Sequence, residues 1–573
     1  MKSWKRWAAA LLSVALCLGL LAGCGGEEEG MSLSVCAGAA PESLDPIYTT
    51  STADQTILTH LYENLMQAST DENGALTAAS GMAKSAESET NVDGTVTWTF
   101  RLRNAKWSDG KKVTADDFVY AWQRLADPER NSPYASLLSI VAGYQEARES
   151  GDMSLLQVTA ENDTTLVVVL SGSYEWFLTQ VCTSTATLPL RRDLMAQWEP
   201  EETEEAAETQ EDTSETEEET EQEIPPEETA PWWSDTAALV TNGPYQVTTY
   251  TAGESLTASA YEDYYGRQKG PETLTFYFAD TADDAWSLYE AGTVDFVGEL
   301  PEEQLEARAQ DEARPLSAEL GTYVVLFNCA QDPFDEADVR RALALVLDRN
   351  TVAQAAGTDA RAAEGLVAPG VPDSGGGAFR DNGALLDNNP DHYADTCTQG
   401  VELLSQAGYD GGRGLGELEY LYVDQDGAAA VAQALCDMWS RELHLQVTAR
   451  AVTEEELDQA LAEGTFTLAG VELRPVANDP ECFLMPWVSE REENTARYAN
   501  SAYDTLLSII ASAQDSTARS GCLHDAEALL LEDSVVAPLY TTVTGWELRD
   551  TLTGLWRDGR GWFRFTGVVT RSV

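Results

Sequence analysis

The chain has 573 residues and is strongly acidic, with 97 Asp and Glu against 35 Lys and Arg and a formal net charge of −62 at pH 7. Its length is enough for several lobes, and a hydrophobic content of 43% is typical of a large packed protein rather than a disordered chain. The charge excludes nucleic acid and anionic lipid as electrostatic partners, so any membrane attachment must be covalent.

The N-terminus has the parts of a secretory signal peptide. Three basic residues within the first six precede an apolar run over residues 7–20, which is too short for a comfortable transmembrane span. The Leu-Ala-Gly-Cys sequence that follows resembles a bacterial lipobox and ends at Cys24. We therefore expect a lipoprotein signal peptide over residues 1–23, lipidation of Cys24 and a polar tether over residues 24–30. Ordinary cleavage that leaves Cys24 free is the alternative.

The other cysteines show no metal-binding pattern. Without Cys24 and the cysteine of the signal peptide, seven of the nine cysteines remain, and no Cys-x-x-Cys spacing occurs. The four histidines are scattered. We predict independent, buried thiols and no cofactor, and the composition disfavours zinc, iron–sulfur and nickel sites.

The first part of the mature chain combines strand and helix patterns. Residues 31–46 predict a strand followed by a loop, and residues 52–65 predict a helix that buries Ile57, Leu61 and Leu65. The segment from there to residue 93 is expected to be rich in loops.

Residues 98–136 carry the most specific pattern, WTFRLRNAKWSDGKKVTADDFVYAWQRLADPERNSPYAS. Alternating apolar residues predict a half-buried strand, and Ser-Asp-Gly supplies a turn. Thr114 is the expected N-cap of a helix with Phe118, Trp122 and Leu125 on one face. This strand–turn–helix resembles a signature of the family 5 extracellular solute-binding proteins, the oligopeptide, dipeptide and nickel receptors of ABC importers.

Later segments extend this resemblance over residues 31–198 and 231–550. Thr-Asn-Gly-Pro-Tyr at 241–245 and Tyr-Tyr-Gly at 264–266 match two further landmarks, the second with one aromatic swap. The resemblance implies an α/β, two-lobed periplasmic-binding-protein-like fold of the class II type with an extra small third lobe. Its implied division is lobe I at 31–62, 186–325 and 536–573, lobe II at 63–185, and lobe III at 326–535, with the ligand between lobes I and III.

One segment stands apart from this pattern. Residues 199–230 contain 16 Asp or Glu and no Lys or Arg. They cannot bury enough apolar surface to offset the entropy of ordering, so we predict a disordered insertion in a surface loop. A role in cation buffering or wall interaction is the alternative.

The remaining elements alternate between strands and helices, which favours α/β lobes. Residues 321–328 form an almost continuous apolar run that predicts a strand covered on both faces, and residues 335–354 predict one long helix. The other predictions are a hairpin at 158–170, strands at 274–278, 418–423 and 445–452, and helices at 428–443, 454–462, 503–513 and 522–531.

No catalytic constellation is evident. The chain has no Gly-x-Ser-x-Gly or His-Glu-x-x-His sequence. His524 and Glu527 have the spacing used by di-metal helices, but one such pair without a second is more typical of a solvated helix face. We therefore predict a binding protein and not an enzyme.

The segment at 466–483 matches the oligopeptide receptors poorly. Aligned on the Pro and Phe near its end, Val476 stands where those receptors have the Asp that pairs with the peptide's α-ammonium. Leu473 and Gly470 stand at a pocket Trp and a pocket Arg, and Glu454 at another pocket Trp.

Val476 cannot balance an ammonium, and an unpaired charge in the cleft would cost several kcal/mol. Either Glu472, Asp479 or Glu454 takes this role, or the ligand has no free ammonium there. Arg474 has the opposite sign and would suit a carboxylate or a phosphate.

Three further ligand contacts are implied by the resemblance. Tyr134 matches a cleft-facing Tyr of the peptide receptors, and Tyr323 and Asn328 lie on the strand that enters the cleft in relatives. A Tyr can stack on a ligand and donate a hydrogen bond, although a core position for Tyr134 is the alternative.

These observations predict a monomeric receptor, lipid-anchored to the bacterial cell membrane and extracytoplasmic. It would capture a small solute, which the family resemblance alone implies to be a peptide. It would then deliver this solute to the permease subunits of an ABC importer. A peptide sensor with the same cleft is an alternative, and a cell-surface hydrolase is a second one. The identity and length of the ligand stay open.

Overall fold

A computed structural model describes residues 30–70, 76–196, 198, 231–236, 239–266, 269–309, 314, 316–425, 427–513 and 515–571. The predicted signal peptide, Cys24 and the acidic segment 199–230 lie outside these residues. Within them, no helix has both the length and the apolar character needed to cross a membrane.

Strands make up most of the framework. They are β1 (Ser32–Gly38), β2 (Met66–Thr70), β3 (Leu76–Ser80), β4 (Ala83–Thr90), β5 (Val96–Leu102), β6 (Val158–Asn162), β7 (Thr165–Leu170), β8 (Tyr245–Thr251), β9 (Ser255–Ala260), β10 (Thr273–Phe278), β11 (Phe296–Val297), β12 (Ser317–Ala318), β13 (Thr322–Phe327), β14 (Ala360–Ala362), β15 (Glu417–Val423), β16 (Gln446–Val452), β17 (Leu468–Leu473), β18 (Val536–Thr544), β19 (Glu547–Leu548), β20 (Leu552–Thr553), β21 (Trp556–Arg557), β22 (Phe563–Arg564) and β23 (Val569–Thr570).

Helices connect and cover the sheets. They are α1 (Thr52–Leu61), α2 (Ala115–Ala126), α3 (Tyr144–Ser150), α4 (Arg192–Met195), α5 (Ala282–Glu290), α6 (Glu302–Arg308), α7 (Ala337–Leu345), α8 (Arg349–Ala356), α9 (Tyr393–Gln406), α10 (Ala428–Leu443), α11 (Glu454–Glu463), α12 (Pro480–Leu484), α13 (Ser501–Ser512) and α14 (Ser516–Glu532).

The sheets divide the molecule into two lobes. The first lobe contains a six-stranded sheet in the order β19-β11-β1-β10-β9-β8 and a four-stranded sheet in the order β4-β5-β7-β6, and one hydrophobic core joins them. The second lobe is built on a seven-stranded sheet in the order β12-β18-β13-β17-β15-β16, with β14 paired to β18 and a core on each face. The predicted two-lobed α/β fold is confirmed.

The boundaries between lobes differ from those that the resemblance implies. β13 and β18 are neighbours in the seven-stranded sheet, where Tyr323 pairs with Tyr540 and Leu326 with Val536. Divisions at 326 and 536 would separate paired strands of one sheet. The strand order favours divisions before β12 and after β18.

The strand–turn–helix signature folds as predicted. β5 is followed by α2, where the Asp117 side chain accepts hydrogen bonds from Thr114 N at 2.8 Å and from the Thr114 hydroxyl at 3.2 Å. Phe118, Trp122 and Leu125 are fully buried in the core of the first lobe. This apolar face anchors the helix between the sheets.

The segment expected to be rich in loops contains β2, β3 and β4 instead. β4 has the sequence AKSAESET, and most of its side chains are exposed. A strand this polar lacks the apolar alternation from which a strand can be predicted. It forms because it pairs antiparallel with β5 along the whole length from Leu102 to Val96.

Three helix predictions need correction, while the strand at 321–328 is confirmed. The helix expected at 52–65 ends at Leu61, although Leu65 beyond it is buried as expected. All six residues of β13 are buried, as its apolar run predicts. The long helix expected at 335–354 is two helices, α7 and α8, separated at residues 346–348. The helix expected from residue 522 begins at Ser516, where the Asp515 side chain accepts a hydrogen bond from Ala518 N.

Asp348 causes the new start at α8, because its side chain accepts from Asn350 N at 3.2 Å and Thr351 N at 3.4 Å. We expect Asp348→Ala to lower the free energy of unfolding by about 1 kcal/mol, as measured by urea denaturation. Glu336 precedes α7 without a side-chain cap bond, so Glu336→Ala is the matched control and should have little effect. Equal losses in both variants would contradict the capping role.

The seven cysteines within the described ranges are free thiols. Cys36, Cys182, Cys397 and Cys482 are buried, and the others are partly buried. Desolvation raises the pKa of Cys36 to about 11, so this thiol stays protonated and unreactive at neutral pH. The prediction of independent thiols is confirmed for these residues.

Candidate functional site

Two adjoining cavities lie near the junction of the lobes, and the larger one is lined by both lobes. The larger, of about 450 Å³, has walls from the first lobe around Gly38, Thr52, Glu299 and Arg557 and from the second lobe at Glu319, Leu320, Glu472 and Arg474. The smaller, of about 210 Å³, lies in the second lobe beside Tyr323, Asp359 and Tyr540. Glu319, Glu472 and Arg474 line both cavities, so the two spaces are in contact along one wall.

Antiparallel pairing of β13 and β17 places three predicted residues at this wall. Tyr323 is the register partner of Glu472, and Arg474 follows directly after β17. Arg474 Nε lies 3.0 Å from Glu472 Oε1, and both side chains keep contact with water, with 65% and 32% of their surface exposed. Tyr323 stacks on Tyr540 at a ring-centroid distance of 5.0 Å. The sheet therefore presents an ion pair beside an aromatic pair.

Tyr134 lies on the first lobe and packs against its core. Its hydroxyl accepts a hydrogen bond from Gln55 Nε2 at 2.8 Å. Burial raises the pKa of Tyr134, while the positive charge of Arg474 opposes this shift. The side chain therefore has the core contact that was the alternative, and it lines neither of the two cavities.

The other three predicted contacts lie elsewhere. Asn328 is buried and its Nδ2 donates to the carbonyls of Gly464 and Phe466, both at 3.0 Å. Glu454 is exposed in the first turn of α11 and lines neither cavity. Asp479 is buried, caps α12 and pairs with Arg519. These side chains stabilise the second lobe or face solvent.

The region around Val476 forms a contact between the lobes. Val476 packs against the core of the first lobe, as do Ala477 and Cys482. Asn478 N donates to Gln180 Oε1 at 3.0 Å, and Gln180 Nε2 donates to the Asn478 carbonyl at 3.2 Å. A carboxylate at position 476 would face this apolar core. The lobes therefore meet at the position where the sequence resemblance implied an ammonium partner.

Charged residues that the sequence did not identify also line the cavities. Burial raises the pKa of Glu299, and the negative charges of Glu319 and Asp359 raise it further. Burial raises the pKa of Asp54 to about 6, although a hydrogen bond with the Ser51 side chain opposes this shift. These residues come from separate segments without a shared motif, so no local signal could have assembled them.

The His524 and Glu527 pair does not lie on a solvated face, contrary to expectation. Glu527 is fully buried, pairs with Arg380, and accepts from the backbone nitrogens of Leu366 and Val367 at 2.8 and 2.9 Å. His524 Nε2 lies 2.8 Å from Asp373 Oδ2. Across the described ranges, no group of three or more His, Cys, Asp or Glu could hold a metal ion.

Comparisons with known proteins agree on one family. The model of "Bacterial extracellular solute-binding proteins, family 5 Middle" matches residues 81–495. The chain is 28% identical to the probable deoxycholate-binding periplasmic protein YgiS of Escherichia coli K12, over 87% of this chain and 86% of that protein. It is 27% identical to the periplasmic murein peptide-binding protein MppA of the same organism, over 90% and 88%. The solved structure of the Escherichia coli murein tripeptide binding protein MppA superposes with a TM-score of 0.70 at 24% identity, covering 95% of this chain and 99% of that one.

Proposed function

This chain belongs to family 5 of the bacterial extracellular solute-binding proteins, and from this premise we propose that it captures a peptide between its two lobes and delivers it to an ABC importer. Members of the family are transport binding proteins and not enzymes. Binding then requires only that the ligand favours the closed arrangement of the lobes over the open one.

The observation that carries the peptide assignment is the mixed charge of the larger cavity. Glu472 and Glu319 can accept hydrogen bonds from an ammonium, and Arg474 and Arg557 can donate to a carboxylate. A peptide is a zwitterion with both groups. Tyr323 and Tyr540 add an aromatic wall for a side chain.

Of the predicted contacts, we propose Tyr323, Glu472 and Arg474 as part of this site, because all three line a cavity, whereas Tyr134 lines neither. Asn328, Glu454 and Asp479 are not included, because their side chains are committed to other contacts or exposed outside both cavities. Glu472 then takes the role of the ammonium partner that Val476 cannot fill.

Mass spectrometry of ligand released from the purified, denatured protein tests the proposal. We expect one or more short peptides with free N-termini. The name of one relative specifies deoxycholate, and recovery of a steroid carboxylate without peptide would contradict the peptide assignment. A protein that binds peptides but supports no uptake in cells would instead be a sensor with the same cleft.

We further propose that the protein is monomeric and held at the membrane by lipid on Cys24. The Leu-Ala-Gly-Cys sequence and the acidic surface support a covalent anchor. Cys24→Ser should move the protein from the membrane fraction to the soluble fraction, as followed by immunoblotting. Retention of the variant in the membrane fraction would contradict the anchor, and a dimer in light scattering would contradict the monomer.

A further inference from the structure

Arg557 stands out among the charged residues of the larger cavity. It lies in β21 on the wall of the first lobe. Its guanidinium carbon lies 5.0 Å from the ring centroid of Trp546 and 5.7 Å from that of Phe563. These two rings hold the planar group through cation–π contacts, which leave its N–H edge available.

Other arginines near this cavity have acidic partners. Arg560 Nε lies 2.7 Å from Asp558 Oδ1, and Arg474 pairs with Glu472. For Arg557, no carboxylate of the described chain lies within ion-pair distance, and its buried Nε has no hydrogen-bond acceptor there. Burial lowers the pKa of Arg557, and the negative charges of Glu319 and Asp558 oppose this shift without forming an ion pair with it. A partly buried cation without a direct partner is costly, so its place in a ligand cavity points to an anion.

Space beside the guanidinium is kept open by a glycine. Gly561 also lines the cavity and has a φ of +104°, a backbone conformation that other residues rarely adopt. A Cβ at this position would lie 3.4 Å from Arg557 Nη2. A small planar anion can therefore approach the donor edge.

We propose that Arg557 binds the C-terminal carboxylate of the peptide ligand. This inference rests on the proposed function. A carboxylate can accept two parallel hydrogen bonds from the guanidinium group. Its single negative charge would balance the charge of Arg557, which has no ion-pair partner. The ligand would thus be oriented, with its carboxyl end on the first lobe and its ammonium on Glu472 of the second.

Competition between peptides with free and amidated C-termini tests the inference. The probe is an equimolar pool of mixed-sequence tripeptides to pentapeptides, half free acids and half C-terminal amides, and retained peptides are counted by mass spectrometry. The intact protein should enrich free acids by roughly tenfold, because a charged hydrogen-bonded pair is lost with the amide. Arg557→Gln should abolish this enrichment, and Arg557→Lys should restore part of it.

Arg413→Gln is the matched control, because Arg413 is exposed and pairs with Asp410 away from both cavities. It should keep the full enrichment. Equal retention of acids and amides by the intact protein would overturn the inference while leaving peptide binding intact, and so would undiminished enrichment by Arg557→Gln. Retention of no peptide at all would instead overturn the proposed function. A further arm of the experiment uses C-terminal amides that contain one Glu. If these amides are enriched as strongly as the free acids, the site binds anions in general, and the assignment to the C-terminal carboxylate is contradicted.

Discussion

Replacement of Arg519 by Met is expected to lower the free energy of unfolding by roughly 3–5 kcal/mol, as measured by urea denaturation. Arg519 lies on α14 and is only 1% exposed. Its Nη2 donates to Asp479 Oδ1 and to Glu481 Oε2, both at 2.8 Å. Both carboxylates are buried as well. Without the guanidinium, two negative charges would remain close together with little water, which is why the loss should exceed that of an exposed pair.

The effect of Arg519→Met should also depend on pH. Burial raises the pKa of Glu481 in the folded protein, and the charge of Arg519 opposes that shift. A carboxyl whose pKa is higher in the folded state than in the unfolded state destabilises the fold fully above its folded pKa. The penalty shrinks as pH falls from the folded pKa and is gone below the unfolded pKa. Removal of Arg519 raises the folded pKa further, so the loss should be smaller at pH 5 than at pH 8.

A charge-neutral variant separates electrostatics from packing. The triple change Arg519→Met, Asp479→Asn, Glu481→Gln removes all three charges, and the two carboxyl replacements are isosteric. It should recover much of the stability that the single change loses, because no charge is left unpaired. A loss that is independent of pH and is not recovered by the triple change would assign the effect to packing instead.

The fold could be predicted from sequence where local patterns and burial agree. Phe118, Trp122 and Leu125 carry a helical period next to a capping residue, and all three are buried as expected. β4 was missed because its stability comes from its pairing with β5 and not from its own polar sequence. The break before α8 depends on one side chain, Asp348, within an otherwise helical pattern.

The candidate site was only partly predictable, for a geometric reason. Glu472 and Arg474 stand two residues apart at the end of β17, and this period of two places both on the cavity wall. Asp479 is five residues further along, beyond the strand, where the chain turns into the core. Arg557 joins the site from a hairpin far away in sequence. Only the assembled lobes show which charges meet.

Glu472→Gln is expected to weaken binding of peptides with free N-termini by roughly 10- to 100-fold, because one partner of a charged hydrogen-bonded pair is lost. Isothermal titration calorimetry with the peptide identified by mass spectrometry gives the dissociation constants. The N-acetylated form of the same peptide has no ammonium, so the substitution should leave its affinity unchanged. The stability of the protein should also change little, because the pair of Glu472 with Arg474 is partly exposed.

Glu454→Gln is the matched control for this prediction, since both carboxylates were candidates from sequence and only Glu472 lines the cavities. It makes the same isosteric change on the exposed first turn of α11, and it should bind free and acetylated peptides as the unmodified protein does. Equal losses for free and acetylated peptides with Glu472→Gln would show that Glu472 shapes the cavity without pairing with the ammonium. A selective loss in Glu319→Gln instead would place the ammonium on the neighbouring carboxylate, because Glu319 lines the same two cavities.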